Sequence, residues 1–416
     1  MDARHIILRA ALVTAVATAG AGCVGVSAQA AAPRTAAAPA EAAPVQAAPV
    51  EAAPVKAARM AVPAVDPSVA RASAVVARMT LRQRVGQLLA VGVPSTSVAT
   101  ASSLVTRYGV GTVFLSGRDA SGVVPVAGRN ARLQRAATEA ATRGVLEFVA
   151  VDQEGGAVQS LRGPGISEIP SALVQARQPA ATIRDRAALW GRQLRRAGVT
   201  LDLAPVTDVV PPAHRATNQP IGRYDREFGF TEAAVATAVG PWSSGTRSAG
   251  VQPTLKHFPG LGRVTGNTDT SPRVVDTETT RSAATLVPWR AGVAGGAGAV
   301  MVSSAVYARI DPHGQAVFSP TVISGMLRHD LAFDGVVMTD DMGNAAAVRD
   351  VPVADRATRF VAAGGDLVLT LATGQIPTMS DALVARAQRD ATFARQVQAS
   401  AVRVVTLKER AGLVPR

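Results

Sequence analysis

Residues 146–154, LEFVAVDQE, form a largely apolar run that ends in a cluster of acidic and amide side chains. The apolar part is continuous rather than alternating, and it contains β-branched and aromatic residues. Such a run is typical of a strand that is buried on both faces, as in a parallel sheet covered by helices. We therefore interpret it as one strand of such a sheet, with polar groups at its carboxyl end.

Seven more apolar runs of this kind alternate with stretches of helical spacing along the chain. Crossover helices force strands to run parallel, and eight strand-helix units in about 350 residues are typical of a TIM-type barrel. A doubly wound sheet is the alternative, but no Gly-x-Gly-x-x-Gly turn follows the first strand. We therefore predict an α/β fold, a single (β/α)8 barrel over residues 66–416 that ends in helices within Ser380–Gly412. The predicted strands are Gly86–Val93, Gly109–Gly117, Leu146–Glu154, Thr200–Val209, Gly250–His257, Ala297–Ala305, Asp334–Asp341 and Asp366–Leu371. The predicted helices before the C-terminal segment include Ser73–Arg84, Asn130–Arg143, Ile183–Gly198, Glu232–Ser248 and Val322–His329.

The first 65 residues differ in composition from the rest of the chain. Residues 1–30 combine Arg4 and Arg9 with a short apolar core and small residues, which is the pattern of a secretory signal peptide. Cys23 lies in a context that resembles a bacterial lipoprotein box. Residues 31–65 are rich in Ala and Pro and are interpreted as a semi-rigid linker. We expect an exported protein, either secreted or lipid-anchored through Cys23 at the outer face of the bacterial cell membrane.

Composition excludes several classes of protein. The chain has 416 residues, 48% of them hydrophobic, and one cysteine, so an internal disulfide framework and a cysteine-based zinc cluster are excluded. The net charge of +13 is scattered over single arginines without basic runs or interleaved aromatics, so no nucleic acid partner is expected. A basic exterior instead suits an encounter with an anionic cell envelope. We expect a monomer without a cofactor.

Charged residues cluster at the carboxyl ends of four predicted strands. In a barrel these ends meet at one face, which carries the active site, and so many buried charges require partners or a ligand. Lys256 is notable because the chain has only three lysines beside forty arginines, so a compact ammonium group is favoured at this position. It would also repel a metal cation, and we expect no metal site. The clustered residues are Asp152 and Glu154, Asp208, Lys256 and His257, and Asp340 and Asp341.

Taken in order, the motifs around these residues resemble glycoside hydrolase family 3, in particular its single-domain β-N-acetylhexosaminidase branch. The resemblance extends from about Thr80 to Gly412, and its specificity lies in the ordered set rather than in any one motif. The motifs are Val85-Gly86-Gln87-Leu88, Asp152-Gln153-Glu154-Gly155-Gly156, Ala204-Pro205-Val206 with Asp208, Ile221-Gly222 with Arg226 and Phe228-Gly229, Lys256-His257-Phe258-Pro259-Gly260, and Asp334-Gly335-Val336-Val337 with Asp340.

The resemblance implies a retaining glycosidase that acts on β-linked N-acetylamino sugars, here expected to come from cell-wall saccharides. It implies that Asp340 is the nucleophile, and a retaining glycosidase does need a carboxylate that forms a covalent glycosyl-enzyme. The neighbouring Asp341 would point away, because strand side chains alternate. The residues implied to hold sugar hydroxyls are Asp152, Arg226, Lys256 and His257, with Asp208 nearby.

The chain departs from this branch in the loop after the fifth strand. There the branch carries its general acid/base histidine, in an Asp-x-His dyad. Asp269 matches the dyad aspartate, whereas Ser271 stands at the histidine position. Serine cannot shuttle protons near neutral pH, and a general acid contributes about a hundred- to ten-thousandfold to the rate.

Three interpretations of this departure remain. Asp269, or another loop carboxylate with a raised pKa, protonates the leaving oxygen, and the protein is a hydrolase. In the second interpretation the acid is dispensable, because the leaving group is activated or because an anion such as phosphate accepts the glycosyl unit. In the third, the protein is a catalytically impaired paralogue that binds saccharides without turnover.

Overall fold

The computed structural model describes residues 66–416. The predicted signal peptide, Cys23 and the predicted linker lie outside the described residues. None of the helices between residues 66 and 416 is both long and apolar enough to cross a membrane.

Eight parallel strands form one sheet that curves into a barrel, as predicted. From β1 to β7 each strand pairs with the next in the chain, and β8 pairs with β1. A parallel bridge between Met338 and Leu367 links β7 to the segment that leads into β8. The strands are β1 (Leu89–Pro94), β2 (Thr112–Ser116), β3 (Phe148–Val151), β4 (Leu201–Asp202), β5 (Gln252–Phe258), β6 (Ala299–Val302), β7 (Val336–Thr339) and β8 (Val368–Thr370).

Several sequence-based boundaries were wrong. The first strand begins at Leu89 because Gly86 belongs to the helix Leu81–Gln87, and the helix predicted over Asn130–Arg143 is divided between Val123–Gln134 and Glu139–Thr142. The fourth strand was expected over Thr200–Val209, but β4 ends at Asp202, three residues before Pro205, which has no N–H to donate to a ladder. The helix predicted over Ser73–Arg84 is two helices. Thr80 separates them, because its side chain accepts a hydrogen bond from the Gln83 backbone and caps the second helix.

Helices cover the outside of the barrel, and small sheets extend from its carboxyl-terminal face. The α-helices are Pro67–Ala77, Leu81–Gln87, Ala99–Tyr108, Val123–Gln134, Glu139–Thr142, Ala172–Gln175, Ala180–Arg196, Pro212–Arg215, Glu232–Ser248, Val287–Ala294, Val353–Ala362, Ile376–Arg389 and Ala391–Arg410, with a π-helix at Thr321–Asp330. Short 3-10 turns lie at Gly222–Tyr224, Ala316–Phe318, Ala346–Val348 and Thr373–Gln375. The additional strands are Gln153–Gly155 and Val158–Gln159, which form a hairpin, and Val275–Thr280, Val306–Arg309 and Asp311–Gln315, which form a three-stranded sheet.

The C-terminal helix Ala391–Arg410 packs against the interior of the barrel at its amino-terminal end. Leu407 belongs to the same buried cluster as Phe148 and Met301 of the barrel interior. Lys408 is buried beside it and donates a hydrogen bond of 2.7 Å to Gln87. The helix fills this end of the barrel, and the polar residues gather at the opposite end, around a cavity at the carboxyl ends of the strands.

Replacing Gly245 with Ala is expected to destabilise the protein by about 1–3 kcal/mol. A Cβ atom at Gly245 would lie 2.1 Å from the carbonyl oxygen of Arg184, in the adjacent helix Ala180–Arg196. Gly128 is the matched control, because it is also helical but the nearest atom to an added Cβ is 4.0 Å away. Gly128→Ala should stabilise by about 0.5–1 kcal/mol through helix propensity. Urea unfolding midpoints test this, and similar shifts in both variants would contradict the close packing of the two helices.

Candidate active site

A cavity of about 280 Å³ opens at the carboxyl ends of the barrel strands. Its floor includes apolar side chains of the barrel interior, such as Phe114 and Met301. Its walls are polar and hold six of the seven residues that the sequence analysis singled out. These are Asp152, Arg226, Lys256, His257, Asp269 and Asp340.

Lys256 lies at the centre of a buried charge network. The residue is 2% exposed, and its ammonium group lies 2.6 Å from a carboxylate oxygen of Asp152 and 2.6 Å from one of Glu154. Glu154 accepts two further hydrogen bonds, of 2.7 and 2.8 Å, from the guanidinium group of Arg226. Two cations and two anions are thus arranged so that each has an opposite partner.

The network keeps its members charged despite burial. Burial acts to lower the pKa of Lys256, but the carboxylates of Asp152 and Glu154 outweigh it and hold this pKa above its ordinary value. Burial acts in the opposite sense on Glu154, and the cations Arg226 and Lys256 outweigh it, so that the pKa of Glu154 falls to about 2. The wall of the cavity therefore presents fixed charges that suit sugar hydroxyl groups.

His257 faces the same cavity as Lys256, although successive residues of a strand normally face opposite sides. In the pairing of β5 with β6, Lys256 opposes Met301 and Phe258 opposes Val302, so His257 is an extra residue in the ladder. Such a bulge breaks the alternation and redirects a side chain.

Asp208 holds the imidazole of His257 from behind. One carboxylate oxygen lies 2.8 Å from Nδ1 of His257, and the other accepts the backbone N–H groups of His257 and Leu261 at 3.1 and 2.7 Å. Asp208 is fully buried and does not line the cavity. The sequence analysis placed it among the substrate-binding residues, whereas this geometry gives it the role of orienting His257 and leaves Nε2 of the ring for a ligand.

Asp340 and Asp341 follow β7 directly and have different environments. Asp340 lines the cavity, and one of its carboxylate oxygens accepts the backbone N–H of Asp341 at 2.8 Å. The carboxylate of Asp341 accepts backbone N–H groups of Gly343, Asn344 and Leu371. Asp341 therefore ties the loop after β7 to the loop after β8. It also lines the cavity beside Asp340, so the expectation that it points away was wrong.

Asp269 reaches the cavity from the loop after β5. The backbone oxygens of Thr268 and Asp269 accept hydrogen bonds of 3.0 Å from the backbone N–H groups of Ala347 and Ala346, which follow Asp340 in the chain. Asp269 keeps part of its surface exposed. Partial burial in the cleft, and next the negative charge of Asp340, raise its pKa to about 6.

Ser271, which stands at the position of the family histidine, does not line the cavity. Its backbone N–H donates to the backbone oxygen of Asn267 at 2.8 Å, within the turn that presents Asp269. Asp269 is therefore the titratable group that this loop brings to the cavity. Within residues 66–416, no three His, Cys, Asp or Glu side chains converge in the way that a metal site requires.

The sequence analysis did not assign roles to two buried carboxyl groups beneath the cavity. Glu154 is the shared partner of Lys256 and Arg226, and its position two residues after Asp152 was the available signal. Asp202 of β4 accepts the backbone N–H of Gln153 at 3.1 Å. The sequence feature that could have identified Asp202 is its position as an acidic residue inside the otherwise apolar run of the fourth predicted strand.

The family model for the glycosyl hydrolase family 3 N-terminal domain matches residues 80–407. The chain belongs to glycoside hydrolase family 3. The β-hexosaminidase LpqI of Mycobacterium tuberculosis is 34% identical over 362 residues, which cover 84% of this chain and 88% of that protein. The structure of this family 3 member is similar to a β-N-acetylhexosaminidase from Beutenbergia cavernae, with 46% identity, a TM-score of 0.78 and coverage of 80% of this chain and 99% of the other.

A family 3 β-N-acetylglucosaminidase from a Paenibacillus species is also similar, with 30% identity, a TM-score of 0.71 and coverage of 80% of this chain and 63% of the other. Membership in the family confirms the predicted barrel and makes the protein a glycosidase.

Asp202→Asn and Asp208→Asn are expected to have opposite outcomes in this glycosidase. Burial first, and the carboxylates of Asp152 and Glu154 next, raise the pKa of Asp202 well above its usual range, against the opposing charge of Lys256. A protonated carboxyl group resembles an amide in shape and charge, so Asp202→Asn should keep kcat/KM within about threefold. Asp208 accepts three N–H donors, so its replacement by an amide should lower kcat/KM by at least about tenfold.

The pH dependence of stability distinguishes the two states of Asp202. A raised native pKa means that the unfolded state loses its proton first, so native stability is lost as the pH rises above about 4. The difference between the melting temperature of Asp202→Asn and that of the wild type should therefore shift in favour of the variant as the pH increases. A difference that stays constant with pH would show that Asp202 is ionised in the native state.

Proposed function

We propose that the protein is a retaining β-N-acetylhexosaminidase that releases β-linked amino sugars from cell-wall saccharides. The observation that carries the proposal is the convergence of Asp340 and Asp269 on one cavity from two different loops. The relatives described above support the substrate class, because they are β-hexosaminidases and β-N-acetylglucosaminidases.

Asp340 is the proposed nucleophile. Its carboxylate forms a bond to the anomeric carbon while the bond from that carbon to the leaving oxygen breaks, and the leaving oxygen takes a proton from Asp269. Water then attacks the anomeric carbon of the glycosyl-enzyme, gives its proton to Asp269 and restores the Asp340 carboxylate. Each carboxyl group returns to its starting state after one turnover.

The fixed charges of the cavity wall provide recognition of the sugar. Asp152 accepts hydrogen bonds from hydroxyl groups, while Lys256 and Arg226 donate them, and all three are already held in place by ion pairs. A site built to bond a hydroxyl group discriminates strongly against analogues that lack it, because its own polar groups are then left unpaired.

Export and the cell-wall location rest on the sequence alone. The signal-like residues 1–30, the lipoprotein-like context of Cys23 and the net charge of +13 support a basic enzyme that works at an anionic envelope. Cell fractionation of the protein and of its Cys23→Ser variant tests the lipid anchor, which the variant should lose.

Asp340→Asn is expected to lower the rate of aryl release from an aryl N-acetyl-β-glucosaminide by at least about a thousandfold, because an amide cannot trap the anomeric centre. Ser271→Ala is the matched control and should stay near the wild-type rate, since Ser271 does not line the cavity. An unchanged rate in Asp340→Asn would remove it as the nucleophile. Binding of the sugar by the wild type without any release would favour a saccharide-binding paralogue.

Asp269→Asn is expected to lower kcat/KM by about a hundred- to ten-thousandfold on substrates with poor leaving groups. It should change kcat/KM little on dinitrophenyl glycosides, whose leaving group needs no acid. The acid form of Asp269 exists below its pKa of about 6, so wild-type kcat/KM should fall as the pH rises through this value. The variant should lack this fall. Equal loss on all leaving groups would exclude Asp269 as the acid.

The phosphate-accepting alternative predicts a different product. If phosphate accepts the glycosyl unit, turnover should depend on free phosphate and yield a sugar phosphate, whereas hydrolysis yields the free sugar in its absence. Product analysis with and without phosphate therefore separates the two reactions. Ser271→His should raise the rate on poorly activated substrates only if the lost histidine limits the enzyme.

A further inference from the structure

Asn218 lies in the loop after β4 and is 1% exposed. Its side-chain Nδ2 donates to the backbone oxygens of Leu261 and Val264 at 2.7 and 2.8 Å. Its Oδ1 accepts the backbone N–H groups of Ile221 and Gly222 at 3.0 and 2.7 Å. One carboxamide thus makes four hydrogen bonds to two separate loops.

The two loops carry different parts of the active site. Ile221 and Gly222 precede Arg226, whose backbone N–H donates to the Ile221 oxygen and whose side chain lines the cavity. Leu261 also lines the cavity, and its backbone N–H is bonded to Asp208. From Val264 the same segment continues to Asp269.

The loop after β5 is therefore held at two places. Near its tip, the backbone oxygens of Thr268 and Asp269 are bonded to the loop after β7. Near its base, Asn218 bonds Leu261 and Val264 to the loop that carries Arg226. Asp208, which accepts the Leu261 N–H, and Tyr307, whose hydroxyl donates to the Gly260 oxygen at 2.8 Å, also hold the base, whereas the Asn218 side chain bonds it to the loop that carries Arg226.

We propose that Asn218 is a positioning residue for the acid/base step, because its carboxamide fixes the loop of Asp269 against the loop of Arg226. This inference rests on the proposed role of Asp269. A carboxamide is required, because the site offers two carbonyl acceptors on one side and two N–H donors on the other. A carboxylate would turn an acceptor toward the Leu261 and Val264 oxygens.

The test uses full-length Asn218→Asp and Asn218→Ala, with aryl N-acetyl-β-glucosaminides whose phenols differ in acidity. A misplaced acid should cost about ten- to a hundredfold in kcat/KM on the poorest leaving groups and less than about threefold on dinitrophenyl substrates. The fall in rate through pH 6 should weaken in parallel. Asn218→Ala introduces no charge and keeps the test available if Asn218→Asp does not fold.

Asn130→Asp is the matched control. Asn130 is also buried, and its Nδ2 donates to the Ala197 oxygen at 2.8 Å, but it does not line the cavity. Rates are normalised to the folded fraction of each variant, measured by calorimetry. The control substitution should change kcat/KM by the same factor on all of the substrates.

The outcomes separate this inference from the function on which it rests. The inference fails if the loss of kcat/KM in Asp269→Asn varies with the leaving group but the loss in the Asn218 variants does not. Asn218 would then have only a structural role. If the loss of kcat/KM in Asp269→Asn does not vary with the leaving group, Asp269 is not the acid, and the proposed function is contradicted before the role of Asn218 is. A uniform loss in the Asn218 variants, like that of Asn130→Asp, would also overturn the positioning role.

Discussion

The buried ammonium group of Lys256 is the constraint on which the carboxyl-terminal face of the barrel depends. Moving an ion out of water costs several kcal/mol even after the protein relaxes, so a buried lysine needs partners that are fixed in place. Asp152 and Glu154 provide them at 2.6 Å, and Glu154 is itself held by Arg226. Strand β5, the end of β3 and the loop after β4 are thus joined by electrostatics before a ligand arrives.

This balance of charge also explains the groups beneath and beside the network. Burial first, and the carboxylates of Asp152 and Glu154 next, raise the pKa of a third carboxyl group nearby, that of Asp202, well above its usual range. On the cavity side, the carboxyl groups of Asp340 and Asp269 line one cavity together with Arg226 and Lys256. Under the proposed mechanism, their negative charge stabilises the oxocarbenium-like centre of a retaining glycosidase.

The sequence predicted those features that depend on strand order alone. Buried parallel strands appear as continuous apolar runs, and the carboxyl ends of such strands meet in space, so the positions of Asp152, Lys256 and Asp340 could be expected. The contacts between loops could not be predicted in this way. Arg226 and Glu154 are 72 residues apart, and Asn218 bonds a segment more than forty residues away, through paths that no local pattern encodes.

In the proposed mechanism, a carboxyl group of the loop after β5 takes the role of the family histidine. Under the proposed mechanism, the charge of Asp340 helps to hold a proton on Asp269, which suits an acid in the first step. Formation of the glycosyl ester neutralises Asp340, so the pKa of Asp269 falls and the same carboxylate suits a base in the second step. Two carboxyl groups in one cleft can thus exchange acid and base roles through their mutual repulsion, which removes the need for an imidazole at position 271.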